Sequence, residues 1–284
     1  MWKKLTNFQQ RAILGTLLTA ILTIFVLLSH TPHLNFLFLL LIAAAQAVAL
    51  WEYYQIATKR GLFPLTSLGT GFGTAYLIAK FFALQSMIPT AFPEAILYLF
   101  AVTAFLVHFK SQKNAVANLA TTLFGVIYVS WPMSVLFNLD YEFMKGPLWV
   151  IFLIGVTKMS DVFAYIIGKQ FGRHKIAPVL SPKKTIEGAL GGIVGAVITS
   201  GVILSFCHCF SIPMWPQFTL TQVLICGLLI GVAGIIGDLA ESLLKRDAQV
   251  KDSNALPGFG GLLDMVDSVL FTAPLFYLIL RFSS

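Results

Sequence analysis

Long apolar runs separated by short polar segments occupy almost the whole chain. The runs are near 20 residues long, as in membrane-spanning helices, and they lack the strict alternation of barrel strands. We predict an all-α polytopic membrane protein in which nine helices span the membrane, over residues 12–30, 34–57, 62–88, 92–109, 115–138, 147–168, 186–209, 219–237 and 262–281. Glycines of the seventh run favour close helix packing over ligand binding, and they are Gly188, Gly191, Gly192 and Gly195.

Composition supports the membrane class. Hydrophobic residues make up 57% and charged residues 11% of the chain, whereas a soluble domain carries about a quarter charged residues. The net charge of +7 is typical of basic cytoplasmic loops that face anionic lipid heads. We therefore expect membrane lipids, and no nucleic acid, as partners.

The distribution of basic residues predicts the orientation. Fifteen of the 19 Lys and Arg residues fall in the N-terminal segment and in the loops after every second span, and only Lys145 and Arg281 fall on the opposite side. The positive-inside rule then places the N-terminus in the cytoplasm and the C-terminus outside. The polar loops 169–185 and 238–261 share the cytoplasmic side, where they can build one site. We predict scaffold helices over 1–145 and a catalytic half over 146–284.

Half of the 12 acidic residues lie within 237–268. If the eighth helix continues to about Arg246, Asp238, Ser242 and Lys245 fall on one of its faces. The glycine-rich run that follows, 257–261, breaks the chain, and its backbone N–H groups can bind an anion.

Asp264 and Asp267 stand three residues apart in the first two turns of the next apolar helix. Two carboxylates on one face beside a phosphate-binding loop suit Mg²⁺. The alternative, that both only complement a positive helix N-terminus, stays open.

A second polar segment precedes the seventh span. Ser181 followed by Pro182 predicts a helix N-cap and first helical position, which would put Lys183 and Lys184 at a helix N-terminus. Such a terminus attracts phosphate. An ordinary positive-inside loop is the alternative.

Further carboxylates inside the predicted spans are Asp161, Glu187 and Glu52. Asp161 and Glu187 are functional-site hypotheses, because a carboxylate within a membrane is costly; for Asp161 an ion pair with Lys158 is the alternative. Glu52 lies among aromatic residues at the end of the second span, and we interpret it as a structural part of an interfacial aromatic belt.

The sequence lacks recognisable motifs for several kinds of chemistry. No GxxxxGK[ST] loop, dinucleotide fingerprint or Ser–His–Asp set is recognisable, and Cys207-His208-Cys209 has no second ligand pair. Carboxylates, cations and a glycine-rich loop instead suit Mg²⁺-dependent phosphoryl or nucleotidyl transfer. The membrane setting indicates that one substrate is a lipid.

Three motifs resemble the signature of the CDP-diacylglycerol synthase (phosphatidate cytidylyltransferase) family, over about residues 150–275. The longest comprises Ser242, Lys245, Arg246, Lys251, Asp252, Pro257, Gly258, Gly260, Gly261, Asp264 and Asp267, and the upstream motifs comprise Asp161, Ala164, Tyr165 and Gly168, then Ser181, Pro182, Lys184, Thr185, Glu187 and Gly188. Phe259 and Met265 stand where the family commonly has His and Arg, and the chain is one residue shorter between Asp252 and Pro257. Neither missing side chain is then indispensable, unless this is a divergent or inactive branch.

The resemblance implies condensation of CTP with phosphatidic acid to give CDP-diacylglycerol and pyrophosphate, with Mg²⁺ as cofactor; a second cation and a homodimer are left open. It implies metal ligands Asp238, Asp252, Asp264 and Asp267, catalytic residues Lys245, Arg246, Lys251 and Asp264, and substrate-binding residues Asp161, Tyr165, Ser181, Lys183, Lys184, Glu187, Ser242, Gly260 and Gly261. We expect a multi-pass protein of a prokaryotic inner membrane, because no transit peptide is recognised. The alternatives are a CTP-dependent transferase for another lipid acceptor, such as an isoprenoid alcohol, and a transporter.

Overall fold

The computed structural model describes residues 20–31, 33–109, 113–210, 219–250 and 261–283. Residues 20–27 are helical, and the helices after them are α1 (Asn35–Lys59), α2 (Thr66–Leu84), α3 (Phe92–His108), α4 (Ala115–Gly125), α5 (Trp131–Tyr141), α6 (Gly146–Phe171), α7 (Ile186–Cys209), α8 (Leu220–Asp247) and α9 (Leu263–Ser283). A π-helical turn, Val126–Ser130, joins α4 to α5, and the short strands β1 (Lys175–Ala177) and β2 (Ser181–Thr185) lie between α6 and α7.

The helices confirm an integral membrane protein of the all-α class. Among the described residues, six stretches are long and apolar enough to cross a membrane: α1, Ala115–Tyr141, α6, α7, α8 and α9. The third and fourth predicted spans fall on α2 and α3, which are helical but are not among these six. The number of nine spans and the orientation of the termini therefore stay predictions.

The chain divides into two compact units. Unit 1 comprises Met1–Tyr141 with Leu244–Val266, and unit 2 comprises Glu142–Leu243 with Asp267–Ser284. Helices α8 and α9 each contribute residues to both units. The predicted functional division at residue 145 stays a prediction.

The core of unit 1 is built from large apolar and aromatic side chains on α1, α2 and α5. Phe38, Phe81 and Phe137 are fully buried, and the rings of Phe38 and Phe81 lie 5.4 and 5.2 Å from that of Phe137. Tyr54 is also fully buried, and its hydroxyl donates to the backbone oxygen of Thr122 at 2.7 Å. This packing holds α1 against neighbouring helices along most of its length.

Glycines let α6 and α7 of unit 2 approach closely. A Cβ added to Gly188 would lie 2.8 Å from the backbone oxygen of Ala164, and one added to Gly192 would lie 3.0 Å from that of Ser160. Real Cβ atoms essentially never come as near as 2.8 Å and rarely as near as 3.0 Å, so glycine at these positions permits the close approach. The prediction that the seventh-span glycines serve helix packing is confirmed for this pair of positions.

Candidate functional site

An ion pair in unit 1 joins the two helices that flank the glycine-rich segment. The ammonium of Lys245, in the last turn of α8, lies 2.6 Å from Oδ1 of Asp264, the second residue of α9. Their side chains are only 12% and 23% exposed. The other oxygen of Asp264 accepts the backbone N–H of Gly261 at 3.2 Å, in the manner of a capping box. The pair is therefore held in one geometry.

Glu52 of α1 fixes the start of α9 within the same unit. Its side chain is completely buried, and its two carboxylate oxygens accept the backbone N–H groups of Leu262 at 3.0 Å and Leu263 at 2.7 Å. The interpretation of Glu52 as a structural residue agrees with this contact, although its partner at the start of α9 was not predicted; its place in an interfacial aromatic belt stays a prediction. The signal was available: the rule applied to Asp161, that a carboxylate in an apolar helix is costly, applies equally to Glu52.

Unit 2 holds a second group of charges, on α6, β2, α8 and α9. Lys184 forms an ion pair with Asp238, and Lys158 lies 3.6 Å from Oδ2 of Asp161. Asp267 is buried, and its Oδ1 accepts the Ser268 hydroxyl at 3.2 Å. The alternative proposed for Asp161, a pair with Lys158, is thus present, and it does not exclude a functional role.

The carboxylates of this group influence one another. Asp161, Asp238 and Asp267 are near enough for their charges to interact, and Lys158 and Lys184 supply two positive charges against their three. The close approach of α8 to α9 makes this grouping possible, because a Cβ on Gly237 would lie 2.6 Å from the backbone oxygen of Asp267. Carboxylates that lie this close together repel one another when they are ionised, and a bound cation would relieve that repulsion.

The predicted N-cap of the seventh span, Ser181, is wrong by four residues. Ser181 lies in β2, where it pairs with Ala177 of β1, and Thr185 is the N-cap of α7, with its hydroxyl accepting the N–H of Gly188 at 3.1 Å. The extended backbone of Thr185 suits a β-branched residue and a cap alike. Lys183 and Lys184 therefore lie on a strand, not in a first helical turn.

Alternation along β2 separates the two lysines. Successive side chains of a strand point to opposite faces, and here Lys184 is partly buried in its pair with Asp238 while Lys183 is exposed. The hairpin thus brings one of the predicted phosphate-binding lysines into the charged group of unit 2 and leaves the other in the exposed loop.

Glu187 binds the loop that precedes the hairpin. Its carboxylate accepts the backbone N–H groups of Arg173 at 3.0 Å and His174 at 3.2 Å, and lies 2.6 Å from Nδ1 of His174. Tyr165, which was predicted to bind substrate, is exposed on α6. The ammonium nitrogen of Lys169 lies over its ring, 5.7 Å from the ring centre. These contacts of Glu187 and Tyr165 are with residues 173–174 and with Lys169.

Several predicted residues fall outside the described part of the chain. These are Lys251, Asp252 and Gly260, together with Phe259. Of the remaining signature residues, Ser242 is partly buried in α8 and Arg246 is exposed at its end, where its guanidinium donates to the backbone oxygen of Val250 at 3.2 Å.

The donor chemistry of unit 2 fits Mg²⁺ that is completed by substrate. Within the described residues, no group of three or more His, Cys, Asp or Glu side chains forms a metal site by itself. Mg²⁺ usually takes one or two carboxylates and fills its other positions with water and phosphate oxygens. Asp238 and Asp267 supply such hard oxygens, and carboxylates that lie close to one another suit a divalent cation. Asp264 fits less well, because Lys245 already neutralises it.

Comparisons with known proteins agree with these features. The model of a family described as "Cytidylyltransferase family" matches residues 9–283. The chain is similar to phosphatidate cytidylyltransferase of Chlamydia muridarum, with 33% identity over 97% of this chain and 93% of the relative. It is also similar to those of Chlamydia trachomatis, with 35% identity over 95% and 92%, and of Bacillus subtilis, with 30% identity over 99% and 100%.

Proposed function

Since the chain belongs to the cytidylyltransferase family, we propose that it transfers the cytidylyl group of CTP to phosphatidate in phospholipid biosynthesis. A phosphate oxygen of phosphatidate attacks the α-phosphorus of CTP, the bond from that phosphorus to the bridging oxygen breaks, and pyrophosphate leaves. CDP-diacylglycerol is the second product. No general base is needed, because the attacking phosphate is already ionised.

The observation that carries the proposal is the charged group of unit 2. Three interacting carboxylates on apolar helices, with one lysine on α6 and one on β2, are costly to keep, and together they provide both kinds of partner that a nucleoside triphosphate requires. Ammonium groups bind phosphate oxygens, and carboxylates bind the metal that accompanies them. A transporter built on Lys158 and Asp161 alone would not require the Lys184–Asp238 pair.

We assign the roles unit by unit, and the contacts within each unit support them. In unit 2, Asp238 and Asp267 would hold Mg²⁺, Lys184 would bind a phosphate of CTP or phosphatidate, and Asp161 would help orient the nucleotide. Mg²⁺ would supply positive charge that offsets the charge developing on the transferring phosphate and on the leaving pyrophosphate.

In unit 1, the ammonium of Lys245 would offset charge that develops on the transferring phosphates, and Asp264 would orient that ammonium. Arg246 is exposed at the end of α8 and would assist with the triphosphate. The predicted contributions of Lys251, Asp252 and Gly260 belong to the same proposal.

The membrane arrangement is part of the proposal. The nine spans, the cytoplasmic N-terminus and a location in a bacterial inner membrane would bring cytoplasmic CTP and membrane phosphatidate to one face. The positive-inside distribution of Lys and Arg and the bacterial origin of the relatives support this arrangement.

The test is release of pyrophosphate by purified protein in detergent micelles given CTP and Mg²⁺. We expect release only when phosphatidate is added, and labelled cytidine should appear in the lipid fraction. Asp267→Asn should abolish release, while the matched control Asp247→Asn, at an exposed position, should not. Cytidylyl transfer to an isoprenoid phosphate but not to phosphatidate would refute the acceptor, and absence of CTP binding would refute the function.

A further inference from the structure

Glu52 is a buried carboxylate of unit 1 that the proposed chemistry does not use. It lies in α1, far along the sequence from the signature segment, and no part of its side chain is exposed. Both of its oxygens are engaged with the first N–H groups of α9, at 3.0 and 2.7 Å. A buried charge needs such compensation, and a helix N-terminus provides it through two hydrogen bonds and its positive dipole.

The position of Asp264 depends on this contact. Asp264 follows directly after Leu262 and Leu263, whose N–H groups Glu52 binds, and its carboxylate contacts Lys245 at 2.6 Å. A shift in the first turn of α9 would move Asp264 and, through the ion pair, the ammonium of Lys245. Displacements near 1 Å can lower rates by about 100-fold when charged groups must meet a transition state.

We propose that Glu52 is a positioning residue for the cytidylyl-transfer reaction, acting through the start of α9 on the Asp264–Lys245 pair. This inference rests on the proposed function of that pair. Glu52 also fills the anion-binding position at this helix start, so the N–H groups of Leu262 and Leu263 bind the protein's own carboxylate rather than a substrate phosphate.

The chemistry requires a carboxylate. Two backbone donors face Glu52, and a carboxylate offers an acceptor oxygen to each. Glutamine has the same shape but offers one oxygen, so its NH₂ group would face a second N–H donor. Glu52→Gln therefore disturbs the helix start while it conserves volume, which makes it the informative substitution.

Gln46 provides a matched control on the same helix. Like Glu52 it is fully buried and makes two hydrogen bonds, donating to Ser130 Oγ at 2.7 Å and accepting from Thr74 Oγ1 at 3.0 Å. Those partners lie on other elements of unit 1. Gln46→Leu thus removes comparable buried polar contacts without touching the start of α9.

The experiment measures kcat per CTP-binding site, so that unfolded protein does not count. Glu52→Gln should lower this kcat by about 10- to 100-fold, with a smaller change in the KM for CTP, whereas Gln46→Leu should leave it within about 2-fold. In a Lys245→Arg background, Glu52→Gln should have a much smaller effect, because the two changes act on one pair. Equal effects in both backgrounds, or an equal loss in Gln46→Leu, would overturn the proposal.

Amide hydrogen exchange gives a second readout that does not depend on turnover. Exchange at Leu262 and Leu263 should become faster in Glu52→Gln and stay unchanged in Gln46→Leu. Unchanged exchange in Glu52→Gln would overturn the positioning role whatever the kinetics. If the unaltered protein released no pyrophosphate, the proposed function would fail, and the exchange result would still decide whether Glu52 fixes this helix start.

Discussion

Removal of one partner from the Lys245–Asp264 pair should affect stability and activity in separable ways. Breaking a fully buried ion pair from one side costs about 3–5 kcal/mol, because the remaining charge loses its partner. The side chains of Lys245 and Asp264 are 12% and 23% exposed. Water can therefore partly solvate the charge that remains, and the loss of stability is smaller. We expect Asp264→Asn to lower the free energy of unfolding by about 2 kcal/mol and to abolish turnover.

The double variant Asp264→Asn, Lys245→Met separates the two effects. Methionine replaces the ammonium with an apolar group of similar length, so the buried charge disappears and most of the lost stability should return. Turnover should stay absent, because neither group of the pair is then charged. The measurements are denaturant unfolding in detergent, followed by tryptophan fluorescence, and phosphatidate-dependent release of pyrophosphate.

An exposed ion pair of the same unit is the control. The guanidinium of Arg60 lies 2.9 Å from Oδ2 of Asp247, with side chains 55% and 61% exposed, and such pairs contribute about 0–1 kcal/mol. Asp247→Asn should therefore change the unfolding free energy by less than about 0.5 kcal/mol. Near-normal turnover by Asp264→Asn, or recovered turnover in the double variant, would refute the catalytic assignment of the pair.

Three further predictions concern the helix contacts of unit 2 and the metal. Thr185→Val should lower the unfolding free energy by about 1 kcal/mol, through loss of the α7 cap, and Thr185→Ser should restore it; equal stability of the two variants would contradict the cap. Gly192→Leu should destabilise the α6–α7 contact strongly in thermal unfolding, whereas Gly155→Ala should be tolerated, because its Cβ would lie 3.7 Å from the nearest atom; similar melting temperatures for both would contradict the packing argument. EDTA should stop pyrophosphate release and Mg²⁺ should restore it; full activity in EDTA would argue against a metal-dependent reaction.

Local sequence patterns predicted the helix bounds well where hydrophobicity alone determines them. The predicted seventh span, 186–209, coincides with α7 (Ile186–Cys209). Helix α8 continues past its apolar part to Asp247, so the condition under which Asp238, Ser242 and Lys245 share one face is met. Asp264 and Asp267 lie in the first two turns of α9, as predicted. Apolar runs and helical periodicity depend only on neighbouring residues, so a single sequence is sufficient for these features.

Competition between nearby caps explains the error at Ser181. Both Ser181 and Thr185 are good N-cap residues, and Pro182 favoured the first of them. The pairing of β2 with β1 decides for Thr185, because residues 181–185 are extended in that hairpin. Strand pairing depends on a partner segment, and Lys175–Ala177 gave no strand signal of its own.

The sequence by itself determined the membrane class, most of the helices and the family resemblance, because hydropathy and motif spacing are properties of contiguous residues. Only the tertiary structure decided which charges meet: Glu52 with the start of α9, Lys245 with Asp264, and Lys184 with Asp238. These partners lie on elements that are separate along the chain, and the hairpin brings Lys184 to Asp238. A buried charge is stabilised by whichever group the fold places beside it, and that group can lie more than 200 residues away, as Leu263 does from Glu52.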